Sequence, residues 1–169
     1  MSLTRSYNLL RSRHTEPSST IEAMTHACDL LWDAFGPAGA PGPNAGFISW
    51  VGFYKKVPTS DEMVLIARRD KPACSPIGLH GACGQSWSRR VPLLVADVKT
   101  LGERYIACDP RDQSELVIPL FDNDGSCWGV LDADSYEKSA FDAHDVQGVT
   151  RLLESLGLTT STRPAPIAL

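Results

Sequence analysis

The chain has 169 residues, 43% of them hydrophobic and 21% charged, with a formal net charge of -4 at neutral pH. That length and balance suit one soluble domain able to bury its own core without metals or crosslinks. The acidic balance argues against a general nucleic-acid binder, which needs clustered Lys and Arg against phosphates. Every apolar stretch is cut by Gly, Pro or charge short of the roughly 20 residues a bilayer span requires, so no membrane contact is expected.

Residues 1–17 are basic and Ser-rich but lack an apolar stretch followed by a small-residue cleavage site. They read as an arm packed on the domain, with an organelle-targeting segment as the alternative and a cytoplasmic location as the expectation. A helix is expected from Ser19, which can cap it with Glu22 three residues on; Ile21, Met24, Ala27, Cys28 and Leu31 fall on one stripe. Cys28 then reads as a buried small hydrophobe. After a Gly/Pro-rich loop over 36–46, residues 47–57 and 63–69 read as two strands of a hairpin joined by P-T-S-D.

Residues 70–80 read as loop, and G-A-C-G-Q-S-W-S-R-R starts a short helix near Cys83, where free amide groups favour a thiolate. A short strand over 93–97 leads into a polar connection over 98–113 that holds Cys108. Strands over 114–121 and 128–133 flank D-N-D-G-S, a hairpin signal, and a last helix capped by Ser139 or Asp142 carries Val146, Val149, Leu152, Leu153 and Leu156, with Gly157 as its stop. Residues 159–169 read as a flexible tail. Helix, hairpin-linked strands and helix make an α+β plan with an antiparallel sheet, in a single domain over 18–158.

Five cysteines are an odd number, and without a secretion signal a structural disulfide framework explains them poorly. Cys74, Cys83 and Cys108 lie beside loops rather than in a clean apolar stripe, which suggests redox thiols, although cysteine is among the residues most often buried. No C-x2-C pair occurs; a zinc site would require Cys74, Cys83, Cys108 and His80 to converge through the fold. Asp132 and Asp134 are two apart on a strand, so both leave one face, and with Glu115 from a neighbouring strand they could hold an ammonium group. Trp50, Gly52 and Tyr54 alternate with Val51 and Phe53, so one face could line a pocket while the other fills the core; plain packing is the other role open to Trp50 and Tyr54. Asp109 reads as an exposed loop acid and Asp142 as a helix cap.

These residues resemble the free methionine-(R)-sulfoxide reductases, enzymes of the GAF fold. The matches are W-V-G-F-Y (50–54), K-P-A-C (71–74), G-A-C-G (81–84), I-A-C-D with S-E-L-V-I-P (106–119), G-V-L-D-A-D-S (129–135) and F-D-A-H-D (141–145). The resemblance implies a GAF-like central antiparallel sheet flanked by N- and C-terminal helices and covering loops, and a pocket that binds free methionine-(R)-sulfoxide. It makes Cys108 the attacking cysteine, Cys83 its main disulfide partner and Cys74 a further resolving or relaying cysteine. Glu115, Asp132 and Asp134 would surround the substrate's amino group, and Trp50 and Tyr54 the sulfur end. It further implies a thioredoxin-like dithiol reductant and a possible homodimer, with no metal or organic cofactor. The chain departs from the family in a shorter loop between Cys74 and Cys83, and in R-Y-I-A-C where the family has G-H-I-A-C, which leaves Tyr105 as the substitute for a local proton donor. The rival readings are a non-catalytic GAF ligand sensor, a peroxide-responsive redox protein, and a reductase of protein-bound methionine sulfoxide.

Overall fold

The computed structural model describes residues 5–7, 19–37, 46–104, 108–160 and 165–169. Helix α1, Thr20–Phe35, begins where the Ser19 side chain accepts the Glu22 amide at 3.2 Å, satisfying one of the orphan donors of the first turn. Met24, Ala27, Cys28, Leu31 and Phe35 are buried on its inner face, whereas Ile21, expected on that stripe, stands 61% exposed in the first turn. The next segment joins the sheet later than its composition suggests. Ile48 donates its amide to Phe35 O at 3.1 Å, so the backbone there closes the helix end before entering the sheet.

Strands β1 (Trp50–Lys56), β2 (Glu62–Arg69), β3 (Ile77–Gly78), β4 (Leu93–Val95), β5 (Ser114–Phe121), β6 (Cys127–Ser135) and β7 (Ile167–Ala168) form one sheet in the order β3-β2-β1-β6-β5-β4-β7. Neighbours pair antiparallel except β4 and β7. The β5–β6 turn uses Gly125 at φ 81°, a conformation costly for any residue with a Cβ, as D-N-D-G-S predicts. The last strand corrects the expectation of a loose tail: Leu93 pairs with Ile167 and Leu94 with Ala168, so the end of the chain forms an edge of the sheet.

The sheet separates two apolar clusters. On one face α1 and α3 (Ala143–Ser155) cover Val51, Phe53, Leu116, Ile118, Leu120, Leu131 and Ala133. Helix α3 starts at Asp142, not Ser139, in a full capping box with Asp145, and Gly157 at φ 68° follows its end. The N-terminal residues that are described dock on this helix: Tyr7 donates to buried Asp145 at 2.8 Å and Arg5 pairs with the same carboxylate. On the opposite face, α2 (Ala82–Arg89) and the loops around it cover Trp50, Tyr54, Val117 and Val130. Among the described residues no helix is long and apolar enough to cross a membrane.

Candidate active site

Strand register builds the polar part of the second face. Trp50 pairs with Asp134 across β1–β6, and Asp134 pairs with Glu115 across β6–β5, so one row of the sheet reads Trp50, Asp134, Glu115. The next row reads Gly52, Asp132, Val117. Facing residues on adjacent strands stand about 5 Å apart at Cβ, and carboxyl oxygens of Glu115, Asp132 and Asp134 all lie within 4.8 Å of one another. Gly52 is required beside them: a Cβ there would meet the Trp50 ring at 2.3 Å, so its absence lets the indole lie over the strand.

A small cleft of about 30 Å³ collects Trp50, Tyr54, Ala73, Cys108, Asp112, Glu115, Asp132 and Asp134. A second of similar size shares Tyr54, Cys108, Glu115 and Asp132 with it and adds Cys83. Cys83 and Cys108 thus line adjoining clefts together with all five residues expected to bind substrate, while Cys74, next to Ala73, lies at their edge beside Cys108. Cys74 and Cys108 are exposed, and the Cys74 amide donates to Cys108 Sγ at 3.3 Å. Cys83 is buried and its thiol donates to Asp132 Oδ2 at 3.3 Å. Among the described residues the hydrogen bond to Cys108 Sγ comes from the Cys74 main chain, while Cys83 shares a cleft wall with Cys108.

The polar tips of both aromatics donate to main-chain carbonyls. Trp50 Nε1 donates to Lys71 O at 3.0 Å and the Tyr54 hydroxyl donates to Cys74 O at 2.8 Å. Their rings line the pocket while their polar ends pin the K-P-A-C loop above it. On the other side of that loop, Lys71 pairs with Asp109, the residue after Cys108. Asp109 is 8% exposed, which corrects its reading as an exposed loop acid. Arg111 and Lys71 hold its carboxyl well below the usual range, so it is ionised throughout the physiological range and donates no proton.

The other acids behave in the opposite way. Burial pushes Asp132 up to about 7 against the stabilising Cys83 hydrogen bond. Burial, then the charge of Asp132, raises Glu115 well above the ordinary carboxyl range; Asp134 keeps a solvent edge but is raised for the same reasons. Like charges gathered away from water cannot all ionise without a cation among them. Asp132 Oδ1 is buried and has no hydrogen-bond partner among the described residues, which leaves one acceptor free for a ligand's donor. Burial also pushes the Cys108 thiol up to about 12, with contact from the Cys74 side chain adding to it. Cys83 lies in the first turn of α2 as expected, yet burial and the facing acids raise its thiol, so the helix start does not yield a thiolate there.

The acid trio would also suit a hard divalent cation, which takes carboxylate oxygens. The alternative zinc set of Cys74, Cys83, Cys108 and His80 does not assemble among the described residues, and His80 is exposed. Tyr105 lies outside the described residues. Two parts of the site escaped the sequence reading. Asp112 lines the cleft and accepts from Ser49 at 2.8 Å; it sits in a loop with no periodicity to point it inward. The Lys71–Asp109 pair links two loops distant in sequence, and its only sequence trace is that each member flanks a cysteine motif.

The GAF domain family model matches residues 41–159, and with the antiparallel sheet and its covered polar face this makes the chain a GAF-domain protein. It is 39% identical over 108 residues to GAF domain-containing protein A of Dictyostelium discoideum, spanning 63% of this chain and 66% of that relative. It is 30% identical over 131 residues to the free methionine-R-sulfoxide reductase of Saccharomyces cerevisiae, spanning 76% of this chain and 69% of that protein. Its fold matches the X-ray structure of free methionine-R-sulfoxide reductase from Neisseria meningitidis in complex with its substrate with a TM-score of 0.75, at 32% identity over 89% of this chain and 83% of that one. The chain belongs to the free methionine-R-sulfoxide reductase family.

Proposed function

We propose that this protein reduces free L-methionine-(R)-sulfoxide to L-methionine through a cysteine sulfenic acid and an intramolecular disulfide. The observation that carries the reading is the trio of buried Glu115 and Asp132 with half-buried Asp134, with an Asp132 oxygen that has no partner among the described residues, in the same cleft as Cys108. An ammonium group brings the positive charge and the donors that such a cluster lacks. A methionine inside a peptide has no free amino group, so the trio favours the free amino acid over protein-bound methionine sulfoxide.

The substrate ammonium sits among the three acids and the methylthio end lies against the Trp50 and Tyr54 rings. An acid kept protonated by its neighbours hydrogen-bonds the sulfoxide oxygen, which makes the sulfur electrophilic. Entry of the cation offsets the Asp132 charge, one of the influences that hold the Cys108 thiol protonated. Cys108 attacks the sulfur, methionine leaves, and the oxygen ends on Cys108 as sulfenic acid. Cys74 then condenses with it, forming an S–S bond and releasing water. Contact with Cys108 favours Cys74 for this step over Cys83, the partner the resemblance puts first; Cys83 serves as the second thiol, to which the disulfide can pass by exchange. Because Cys74 and Cys108 are both exposed, a thioredoxin-like dithiol can reach the disulfide and reopen it. We place the reaction in the cytoplasm, where such reductants keep thiols reduced, and the protein in a homodimer.

The test is turnover of the separated R and S isomers of free methionine sulfoxide with dithiothreitol, by wild type and Cys108→Ser. R-selective activity that disappears with Cys108 supports the reading. Freshly reduced wild type that turns over neither isomer sinks it in favour of a GAF ligand sensor.

A further inference from the structure

The Asp109 carboxylate gathers donors from three separate segments. Lys71 Nζ reaches it from the K-P-A-C loop. The Arg111 amide, Nε and Nη2 donate at 3.0, 3.1 and 2.8 Å from its own loop, and the Tyr136 hydroxyl at 3.1 Å from the residue after the acidic strand β6. Lys71 Nζ also donates to the Tyr136 hydroxyl at 2.6 Å and faces that ring at 4.9 Å, while Arg111 stacks on it at 4.6 Å. The cluster joins the loop before Cys74, the loop after Cys108 and the end of β6.

The members contribute unequally. Arg111 is 66% exposed at its side chain and lies two residues from Asp109, so it shapes its own loop and its pair is screened by solvent. The Lys71 side chain is 28% exposed and that of Asp109 10%, and their pair connects different parts of the chain. Among the described residues, the Lys71 contact is therefore the side-chain ion pair that ties one cysteine loop to the other, beside the Cys74 amide bond to Cys108 Sγ. Elsewhere the Cys74 loop is held by its Lys71 and Cys74 carbonyls, which accept from Trp50 Nε1 and the Tyr54 hydroxyl, and by Ser75 Oγ accepting the Leu65 amide at 3.1 Å. Those contacts anchor the loop to β1 and β2 but not to Cys108.

We propose that the Lys71–Asp109 pair, seated on Tyr136, is the positioning device for the resolving step, holding Cys74 where it can take the Cys108 sulfenic acid to a disulfide. The proposal rests on the reductase reading above. In the step it serves, the Cys74 sulfur attacks the Cys108 sulfur, the S–S bond forms and the S–O bond breaks. The hydroxyl leaves as water with the proton of the Cys74 thiol, and an external dithiol later supplies the two electrons that reopen the disulfide. Such a reaction depends steeply on how the two sulfurs are placed, since misplacement by about 1 Å costs about a hundredfold in rate.

The experiment compares wild type, Lys71→Met, Lys71→Arg and Asp109→Asn, each checked for folding by thermal melting. Methionine released in the first turnover without reductant reports attack by Cys108. Dimedone labelling of Cys108, read by mass, reports sulfenic acid that outlives its formation, and loss of free thiols reports the disulfide. Lys71→Met is expected to release its first methionine at the wild-type rate, accumulate the dimedone adduct, and close the disulfide about tenfold or more slowly. Lys71→Arg should restore closure and Asp109→Asn should copy Lys71→Met. Disulfide closure at the wild-type rate in Lys71→Met overturns the proposal while leaving the reductase reading intact. Equal loss of first turnover and closure also overturns it, because the cluster would then shape the substrate pocket. A wild type inactive on both isomers overturns the reductase reading and this proposal with it.

Discussion

Replacing Asp132 by Asn should stabilise the empty protein at alkaline pH. Burial carries this carboxyl from 3.8 to about 7 in the folded state. The folded pKa lies above the unfolded one, so the folded form binds the proton more tightly and ionisation works against folding. The penalty begins as pH rises past 3.8, grows until about 7 and is constant above. At about 1.4 kcal/mol per tenfold change it reaches about 4 kcal/mol. For a domain of this size each kcal/mol moves Tm by roughly 2–4 °C, so Asp132→Asn should melt about 8–16 °C higher than wild type at pH 8. The gap should shrink to about 1–2 kcal/mol at pH 5, where the folded Asp132 is already protonated. The assay is thermal unfolding without substrate at the two pH values. An Asn variant that melts at or below wild type at pH 8 refutes the reasoning, because Asp132 would then be well solvated or already paired. Methionine at about 100 times its Kd should return about 2.7 kcal/mol to wild type, and much less to the variant, whose affinity it lacks.

The same titration sets the pH dependence of binding. Below about pH 7 the Asp132 carboxyl must release its proton to receive an ammonium, so the Kd for methionine should weaken roughly tenfold per unit as pH falls toward 5. Calorimetry in buffers of different ionisation enthalpy reads the released proton, and a flat Kd over that range would remove Asp132 from the ammonium site. Gly52→Val should push the Trp50 ring off β1, since even its Cβ would sit 2.3 Å from that ring. We expect a loss of about 1–3 kcal/mol in urea unfolding from overpacking together with a raised KM. An unchanged KM would show that the indole does not shape the substrate site.

Much of this architecture is local information. Strand alternation alone put Val51 and Phe53 on the face opposite Trp50 and Tyr54, and Leu131 and Ala133 on the face opposite Asp132, as the two clusters show. Positive φ at Gly125 and Gly157 and the Asp142 cap follow from residue chemistry over a few positions. Local pattern failed where a partner lies far off in the chain. Ile21 fits the helical stripe but stands exposed in the first turn of α1, and the tail has no strand signal of its own, yet β4 offers an open edge with which Ile167–Ala168 pairs.

The sequence by itself determined the main helices and the four longer strands, the two faces of the sheet and most residue types of the site, because period, capping and turn chemistry act within a few residues; the short strands at 77–78 and 167–168 were not legible. Only the tertiary structure decided which charges meet. Register between β1, β6 and β5 put Glu115 beside Asp134 and near Asp132, burial then raised those acids, and folding of two loops brought Lys71 to Asp109 and Cys74 to Cys108. Electrostatic and redox properties depend on distances and on exclusion of water, and both exist only once segments distant in the chain have packed together.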